Sequence, residues 1–223
     1  LAFVLLSFSI NAQDVDAQDF DGANCTSIMV GKDATTDGSV ITSHTCDGMY
    51  RTWLRWEKAQ KHEKGATEKI YRGSMHTRNA NEIKGLELAG EIPQAAYTYS
   101  YLNTAYPCLN EKQLAIGETT FSGPDTLVNP KGLFMIEDLE RIALQRCDNA
   151  RDAIKLIGEL IKEYGYGDGG ECITIADTEE VWCMEIMGEG KKKIGGIWAA
   201  QRVPDGEVSV SANIPRIKHI NRN

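Results

Sequence analysis

Cys25 opens a run of β-forming residues, "CTSIMV", directly behind the acidic, turn-rich stretch "QDVDAQDFDGAN". A cysteine in that place can carry a lipid, form half of a disulfide, pack in a core, or act as a nucleophile. Lipid attachment wants a Leu-like residue three before the cysteine and a small residue just before it; Gly22 and Asn24 stand there instead. A core thiol or a disulfide half accounts for a cysteine in a strand, but not for an acidic, disposable segment that ends at it. An N-terminal nucleophile accounts for both. Cutting the Asn24–Cys25 bond would create an α-amino group with an unperturbed pKa of about 8. That amine belongs to the same residue as the thiol, so one residue would supply both nucleophile and base. Attack on an amide carbonyl then needs donors for the oxyanion and a carboxylate to orient the amine.

Such groups need a rigid frame, and the residue pattern supplies one. "CTSIMV" (25–30) and "SVITSH" (39–44) read as strands, and Asp37-Gly38 between them is a turn signal, so an antiparallel hairpin with Cys25 at its outer end is expected. Residues 51–94 have aromatics, Gly and Pro without a clean period, and are expected to be irregular with a strand or two. "AAYTYSYLNTAY" (95–106) alternates aromatics at 97, 99 and 101, the pattern of one strand with an aromatic face. "QLAIGETTFSG" (113–123) reads as a buried strand. Two helices follow: one with Ile136, Leu139, Ile142 and Ala143 on a stripe, the other capped by Asp148 or Asn149 and ended by Gly165. Its stripe is Ile154, Ile157, Leu160, Ile161 and Tyr164. "ECITIAD", "VWCMEIM", "IWAAQRV" and a last strand running into Asn213 complete an α+β pattern with a mainly antiparallel sheet.

The bulk composition excludes several classes. With 223 residues, 42% apolar and 25% charged, the chain can bury a sizeable core. A net charge of −8 argues against a nucleic-acid partner. The one basic cluster, Lys191-Lys192-Lys193 between glycines, reads as a solvated hairpin tip. The opening "LAFVLLSFSINA" carries an apolar run of about ten residues, too short for stable membrane insertion but suited to the core of a signal peptide. Residues 1–12 are therefore expected to be a partial signal peptide, 13–24 a propeptide or linker, and 25–223 a domain whose C-terminal part is missing. Export to the periplasm or the extracellular space follows. The six cysteines (25, 46, 108, 147, 172 and 183) show no CxxC or Cys/His spacing for a metal. Cys172 and Cys183 flank an expected hairpin turn and stand as candidate cross-strand neighbours; for the cysteines other than Cys25, disulfide and buried thiol both remain open.

"CTSIMVGKDATTDGSVITSHTCDG" resembles the start of the mature chain in the C69 dipeptidases, the dipeptidase D-like branch of the N-terminal nucleophile hydrolases. "LNEKQLAIGETTFSG", "RIALQRCDNARDAIKLIGELIKEYGYG", "GGECITIADTEEVWCMEIMG" and "WAAQRVPDGEVSVSANIPRI" resemble later blocks in the same order, from Cys25 to about Ile217. Bile salt hydrolases and penicillin V acylases are more distant relatives of that family. The resemblance implies an αββα sandwich, activation that exposes Cys25, and cofactor-free, metal-free hydrolysis of dipeptide amide bonds. It implies Cys25 as nucleophile, Asp47 as the aspartate that hydrogen-bonds the nucleophile's amine, and Asn213 as an oxyanion-hole asparagine. The expected hairpin supports Asp47 independently. With the turn at Asp37-Gly38, Asp47 lies within about three positions, or about 10 Å, of the residue opposite Cys25.

The chain also departs from the family pattern. His44-Thr45-Cys46-Asp47 stands where many members have Arg-Asn-x-Asp, so His44 takes an arginine's place, either sharing its role or serving as a plain strand histidine. Thr120 lies where acylase relatives place an oxyanion-hole asparagine. Glu118 is a candidate to face the substrate, with a salt bridge or a surface position as alternatives. Rival functions are an acylase of the penicillin V or bile salt type, a Cys–His protease with an internal Cys25 and His44 or His76, and a non-catalytic, disulfide-bonded binding domain.

Overall fold

The computed structural model describes residues 24–219 apart from 49, 80 and 81. The expected signal peptide and all of the expected linker except Asn24 lie outside the described residues. In chain order the strands are β1 (Cys25–Val30), β2 (Ile41–Cys46), β3 (Arg55–Glu57), β4 (Gln60–Lys61), β5 (Thr67–Tyr71), β6 (Leu88–Pro93), β7 (Tyr97–Thr98), β8 (Tyr101–Asn103), β9 (Leu109–Asn110) and β10 (Ala115–Ser122). Helices α1 (Ile136–Arg146) and α2 (Ala150–Tyr164) follow, then β11 (Gly170–Ala176), β12 (Val181–Gly188), β13 (Gly196–Arg202) and β14 (Val208–Ser211). All strand pairing is antiparallel.

Two sheets form the sandwich, one ordered β14-β1-β2 and one ordered β13-β12-β11-β10-β9-β8-β3; β4-β7 and β5-β6 are separate ribbons. The alternation along β11 sorts the layers. Ile173 and Ile175 join Ile142, Ile157 and Ile161 in the cluster under the helices. Cys172 and Ala176 pack on Met29 of β1 in a second cluster between the sheets. Every residue of β11 is buried, as expected for a strand covered on both faces. Among the described residues the layers are therefore a helix pair, the seven-stranded sheet and the three-stranded sheet, an α+β sandwich.

The helices form where the apolar period places them. Ile136, Leu139, Ile142 and Ala143 are at most 1% exposed, and each such Ile or Leu contributes roughly 1.5–3 kcal/mol by burial. The Asn149 side chain accepts from the Asp152 N–H and caps α2, and Gly165 leaves the helix at φ 84°. Two expectations need correction. Residues 51–94 hold four strands rather than one or two. The tyrosine run is not one strand: it breaks at Tyr99 and Ser100, whose N–H groups turn aside to the Gln145 carbonyl and the Glu111 carboxylate. Tyr97 is exposed and meets Tyr99 edge-on at 5.7 Å, while Tyr101 is buried, so the three do not line one face.

The β1–β2 connection is wider than a turn centred on Asp37-Gly38. Asp37 Oδ1 accepts from the Ser39 N–H and hydroxyl, and Gly38 has φ 76°, so the turn is present. A 3₁₀ turn at Lys32–Ala34, however, is tied to the β13–β14 loop through Asp33 N–H to Asp205 O at 2.8 Å. The strands pair Val30 with Ile41, which places Cys46 opposite Cys25.

The two sheets meet closely at Gly117 of β10. A Cβ there would lie 2.4 Å from His44 Nδ1 and 3.0 Å from His44 Cβ. The imidazole cannot swing away from a contact that close to its own Cβ. Gly117→Ala is expected to destabilise the protein by about 1–3 kcal/mol through overpacking. Urea unfolding of the single variants and of Gly117→Ala/His44→Ala is the check, with the double variant recovering part of the loss.

Candidate active site

Strand β1 is the middle of its sheet, so Cys25 has a neighbour on each side. Cys46 is its partner on β2. On the other side Ser27 pairs with Ser211, and the same register carried on by two residues sets Asn213 against Cys25. Asn213 has φ 55°, a left-handed conformation that asparagine tolerates. This bend at the end of β14 turns its amide onto the nucleophile's residue. Asn213 Oδ1 accepts from the Cys25 N–H at 2.7 Å, and Asn213 Nδ2 donates to the Thr120 carbonyl at 2.6 Å. One amide thus connects β1, β10 and the end of β14.

The Asn24–Cys25 peptide is held at both of its polar atoms. Its nitrogen bonds Asn213, and its carbonyl oxygen, on Asn24, accepts from the Asp47 backbone N–H at 3.1 Å. The Asp47 position brought to the site by the register contributes its main chain here. Its side chain is exposed, and no hydrogen bond joins its carboxylate to the Cys25 nitrogen.

Cys25 is 3% exposed, and its Sγ lies 3.7 Å from Cys46 Sγ. The thiol's pKa is lowered, chiefly because the Cys46 S–H stabilises a Cys25 thiolate, with the Asp47 and Thr120 backbone N–H groups adding to the effect against the cost of burial. The Cys46 thiol is pushed up in turn, because it would have to ionise beside Cys25. Thr120 meets the site through its main chain: its carbonyl takes Asn213 and its N–H faces the sulfur.

Glu118 is neither on the surface nor in a salt bridge, which corrects both alternatives given by the sequence. It is fully buried, and neither carboxyl oxygen has a hydrogen-bond partner among the described residues. Burial, aided by the charge of Asp168, raises its pKa, and the neighbouring Glu171 carboxyl is raised as well, first by burial and then by Glu118. The ligand atoms of Cys25, Cys46 and Glu118 all lie within 4.8 Å of one another.

His44 points inward from β2 beside Cys46 and packs on Gly117; burial lowers its pKa, so it is neutral at neutral pH. A cavity of about 230 Å³ opens beside it, lined by His44, Cys46, Tyr50, Arg51 and Tyr106 among others. Tyr50 meets Tyr106 edge-on at 5.4 Å and stacks on His76 at 5.6 Å. A separate, more polar cavity of about 280 Å³ shares Arg51 but is lined by neither Cys25 nor Cys46. All six cysteines are free thiols. Cys172 and Cys183 are close, with Sγ atoms 3.3 Å apart, but diagonal rather than directly opposite, since Cys172 pairs with Glu185.

The residue that the sequence reading missed is Cys46. It is one of six thiols by composition, and only the strand register singles it out. Glu171 was missed too, and its one signal is its diagonal position to Glu118 across β10 and β11.

Several known dipeptidases are similar to this chain. A "Probable dipeptidase" of Latilactobacillus sakei is 28% identical over 213 residues, covering 89% of this chain and 41% of that protein. A "Probable dipeptidase" of Salmonella dublin is 26% identical over 217 residues, 89% of this chain and 45% of its own length. "Dipeptidase A" of Lactobacillus helveticus is 23% identical over 210 residues, 85% of this chain and 40% of that protein. The chain thus spans about two fifths of the length of these relatives. The family description "Peptidase family C69" matches residues 24–223, a span that opens one residue before Cys25. The chain belongs to peptidase family C69.

Proposed function

We propose that this chain is the nucleophile-bearing part of a cysteine dipeptidase, made as a precursor and activated by cleavage of its own Asn24–Cys25 bond. The observation that carries the reading is the grip on that bond. Its carbonyl oxygen faces the Asp47 N–H and its nitrogen faces Asn213 Oδ1, beside a thiol of lowered pKa. In the activating step the Cys25 sulfur attacks the Asn24 carbonyl carbon, and the Asp47 N–H holds the oxygen as it becomes negative. The C–N bond breaks, the nitrogen takes up the proton lost by the thiol, and the segment up to Asn24 is left on the sulfur as a thioester. Water hydrolyses that thioester, releasing the segment as a carboxylic acid that ends at Asn24 and freeing the thiol beside the new α-amine.

The same atoms then serve a dipeptide. Removal of Asn24 releases the Asp47 N–H, which becomes free to hold a substrate oxyanion. The new amine takes the thiol proton, the thiolate attacks the dipeptide carbonyl, and the amine passes the proton to the leaving nitrogen. A water molecule hydrolyses the resulting acyl-thioester. In the precursor Asn213 fixes the Cys25 nitrogen rather than offering a free donor, so its support of an oxyanion requires its amide to turn after cleavage. The relatives' names supply the substrate class, and the cavity lined by Cys46, the register partner of Cys25, offers space for a small peptide. Export is part of the proposal on the strength of the apolar leader alone; among the described residues no helix is long and apolar enough to cross a membrane.

A neutral, tightly packed His44 and six free thiols give no support to the Cys–His protease or to the disulfide-bonded binding domain.

Three outcomes are expected of the full-length protein. Cys25→Ala leaves the Asn24–Cys25 junction uncut and abolishes dipeptide hydrolysis with an unchanged circular dichroism spectrum; intact-mass analysis and a dipeptide panel read both, and turnover by that variant sinks the mechanism. Asn213→Ala slows self-cleavage by about 10-fold or more, as loss of a single donor or positioning contact does, measured as the time course of N-terminal processing. Cys46→Ala removes the S–H that steadies the Cys25 thiolate, so the Cys25 pKa rises and the pH profile of its alkylation by iodoacetamide moves to higher pH. An unmoved profile refutes the role given to Cys46.

A further inference from the structure

Two groups of side chains among the described residues have the donor set for a metal ion, Cys25/Cys46/Glu118 and Cys172/Cys183/Glu185. They differ in what their carboxylates already do. Glu185 Oε1 accepts from the Arg216 and Ile217 backbone N–H groups, so it is committed to holding the chain after β14. Glu118 is 0% exposed, and among the described residues no N–H or hydroxyl donor reaches its oxygens, whose near neighbours are the Cys46 thiol and the Glu171 carboxyl. A buried carboxyl that faces only acidic groups, two thiols among them, is what a cation would satisfy.

The geometry of the thiols fits one kind of ion. Two sulfurs bound at about 2.3 Å with a tetrahedral angle between them stand about 3.7–3.8 Å apart. Cys25 and Cys46 Sγ are 3.7 Å apart before any ion is present. The third donor, from Glu118, lies within 4.8 Å of both and needs a shift of at most about 1.4 Å to reach a shared ion at carboxylate distance. Thiolate pairs select zinc-like ions over calcium or magnesium. The strands fix the sulfurs, since Cys25 and Cys46 are register partners in a sheet that is closely packed on β10.

We infer that Cys25, Cys46 and Glu118 form an inhibitory site for a thiophilic divalent cation of the zinc class. The fourth position is left for water, as in zinc sites with three protein ligands. Binding displaces the two thiol protons, and any proton on the Glu118 carboxyl, to solvent; no electron is transferred. The ion holds the sulfur that the proposed mechanism uses, so occupancy and self-cleavage exclude each other. The binding itself does not rest on Cys25 being a nucleophile.

The test is titration of the full-length protein, kept reduced with a phosphine, with Cd²⁺ followed by its thiolate charge-transfer absorbance and with Zn²⁺ as competitor. One ion per chain is expected at this site. Cys46→Ser should weaken it by at least about 100-fold, the upper end of the cost of losing an outer-shell partner, and Glu118→Gln should weaken it while leaving the sulfur band. In the wild-type protein, saturating Zn²⁺ should protect Cys25 and Cys46 together from alkylation, as mapped by peptide mass, and this readout needs no variant. Absorbance that follows Cys172→Ser instead of Cys46→Ser overturns the inference, as does protection of neither Cys25 nor Cys46. Zn²⁺ protection of the two thiols in a protein without dipeptidase activity would support the site and count against the proposed function, so the two can fail separately.

Discussion

Strand β1 is hydrogen-bonded on both edges, and the chemistry of the site depends on that constraint. An edge strand would leave the start of the domain free to fray, because terminal backbone without partners is held weakly. Here β2 and β14 fix Cys25 from either side, through Cys46 and through the bend at Asn213. The residue that would become a chain terminus is therefore one of the more constrained in the sheet. A nucleophile that is also an N-terminus needs such a frame, because the geometry of attack tolerates little drift.

The second sheet supplies what the first cannot. Position 117 of β10 is a glycine, which lets His44 and its neighbours approach closely, and the carbonyl of Thr120 anchors the Asn213 amide. Ser27 Oγ also reaches the Glu118 carbonyl, at 3.4 Å. The distance between the sheets and the geometry at Cys25 are thus one quantity. Alteration of the Gly117 contact is transmitted to the sulfur's surroundings through two residues of β2.

How much of this could be read in advance follows from what each signal depends on. The helices were legible because Ile136, Leu139, Ile142 and the α2 stripe repeat at the helical period, and the caps at Asn149 and Gly165 are local chemistry. The strands β10 to β14 were legible as β-rich runs between turn residues. The tyrosine run misled because alternation is a local signal, while the break at Tyr99 is made by Gln145, which is distant in sequence. At the site, Cys25 stood out by its place behind an acidic segment. Cys46 did not, because its importance is a register, and the pairing of Val30 with Ile41 is not the one that a turn centred on Asp37-Gly38 gives. Glu118 was least legible: a glutamate in a strand reads as a surface residue, and only tertiary packing buries it.

That buried carboxyl settles how the thiol is tuned. A charged Glu118 would raise the Cys25 pKa, and its Coulomb effect has that sign. Yet desolvation, the largest influence on Glu118, favours its neutral form, and Glu171 beside it is pushed the same way. Two buried carboxyls this close cannot both ionise at low cost, so protons remain in the pair. A proton held in the pair reduces the negative charge that opposes a thiolate, and the Cys46 S–H and two backbone N–H groups outweigh what remains, since the Cys25 pKa is lowered. Fully apolar residues at 118 and 171 would oppose the thiolate still less. They would take away Glu118, the carboxylate that the described residues place beside the two sulfurs, and with it the site's capacity to hold a cation.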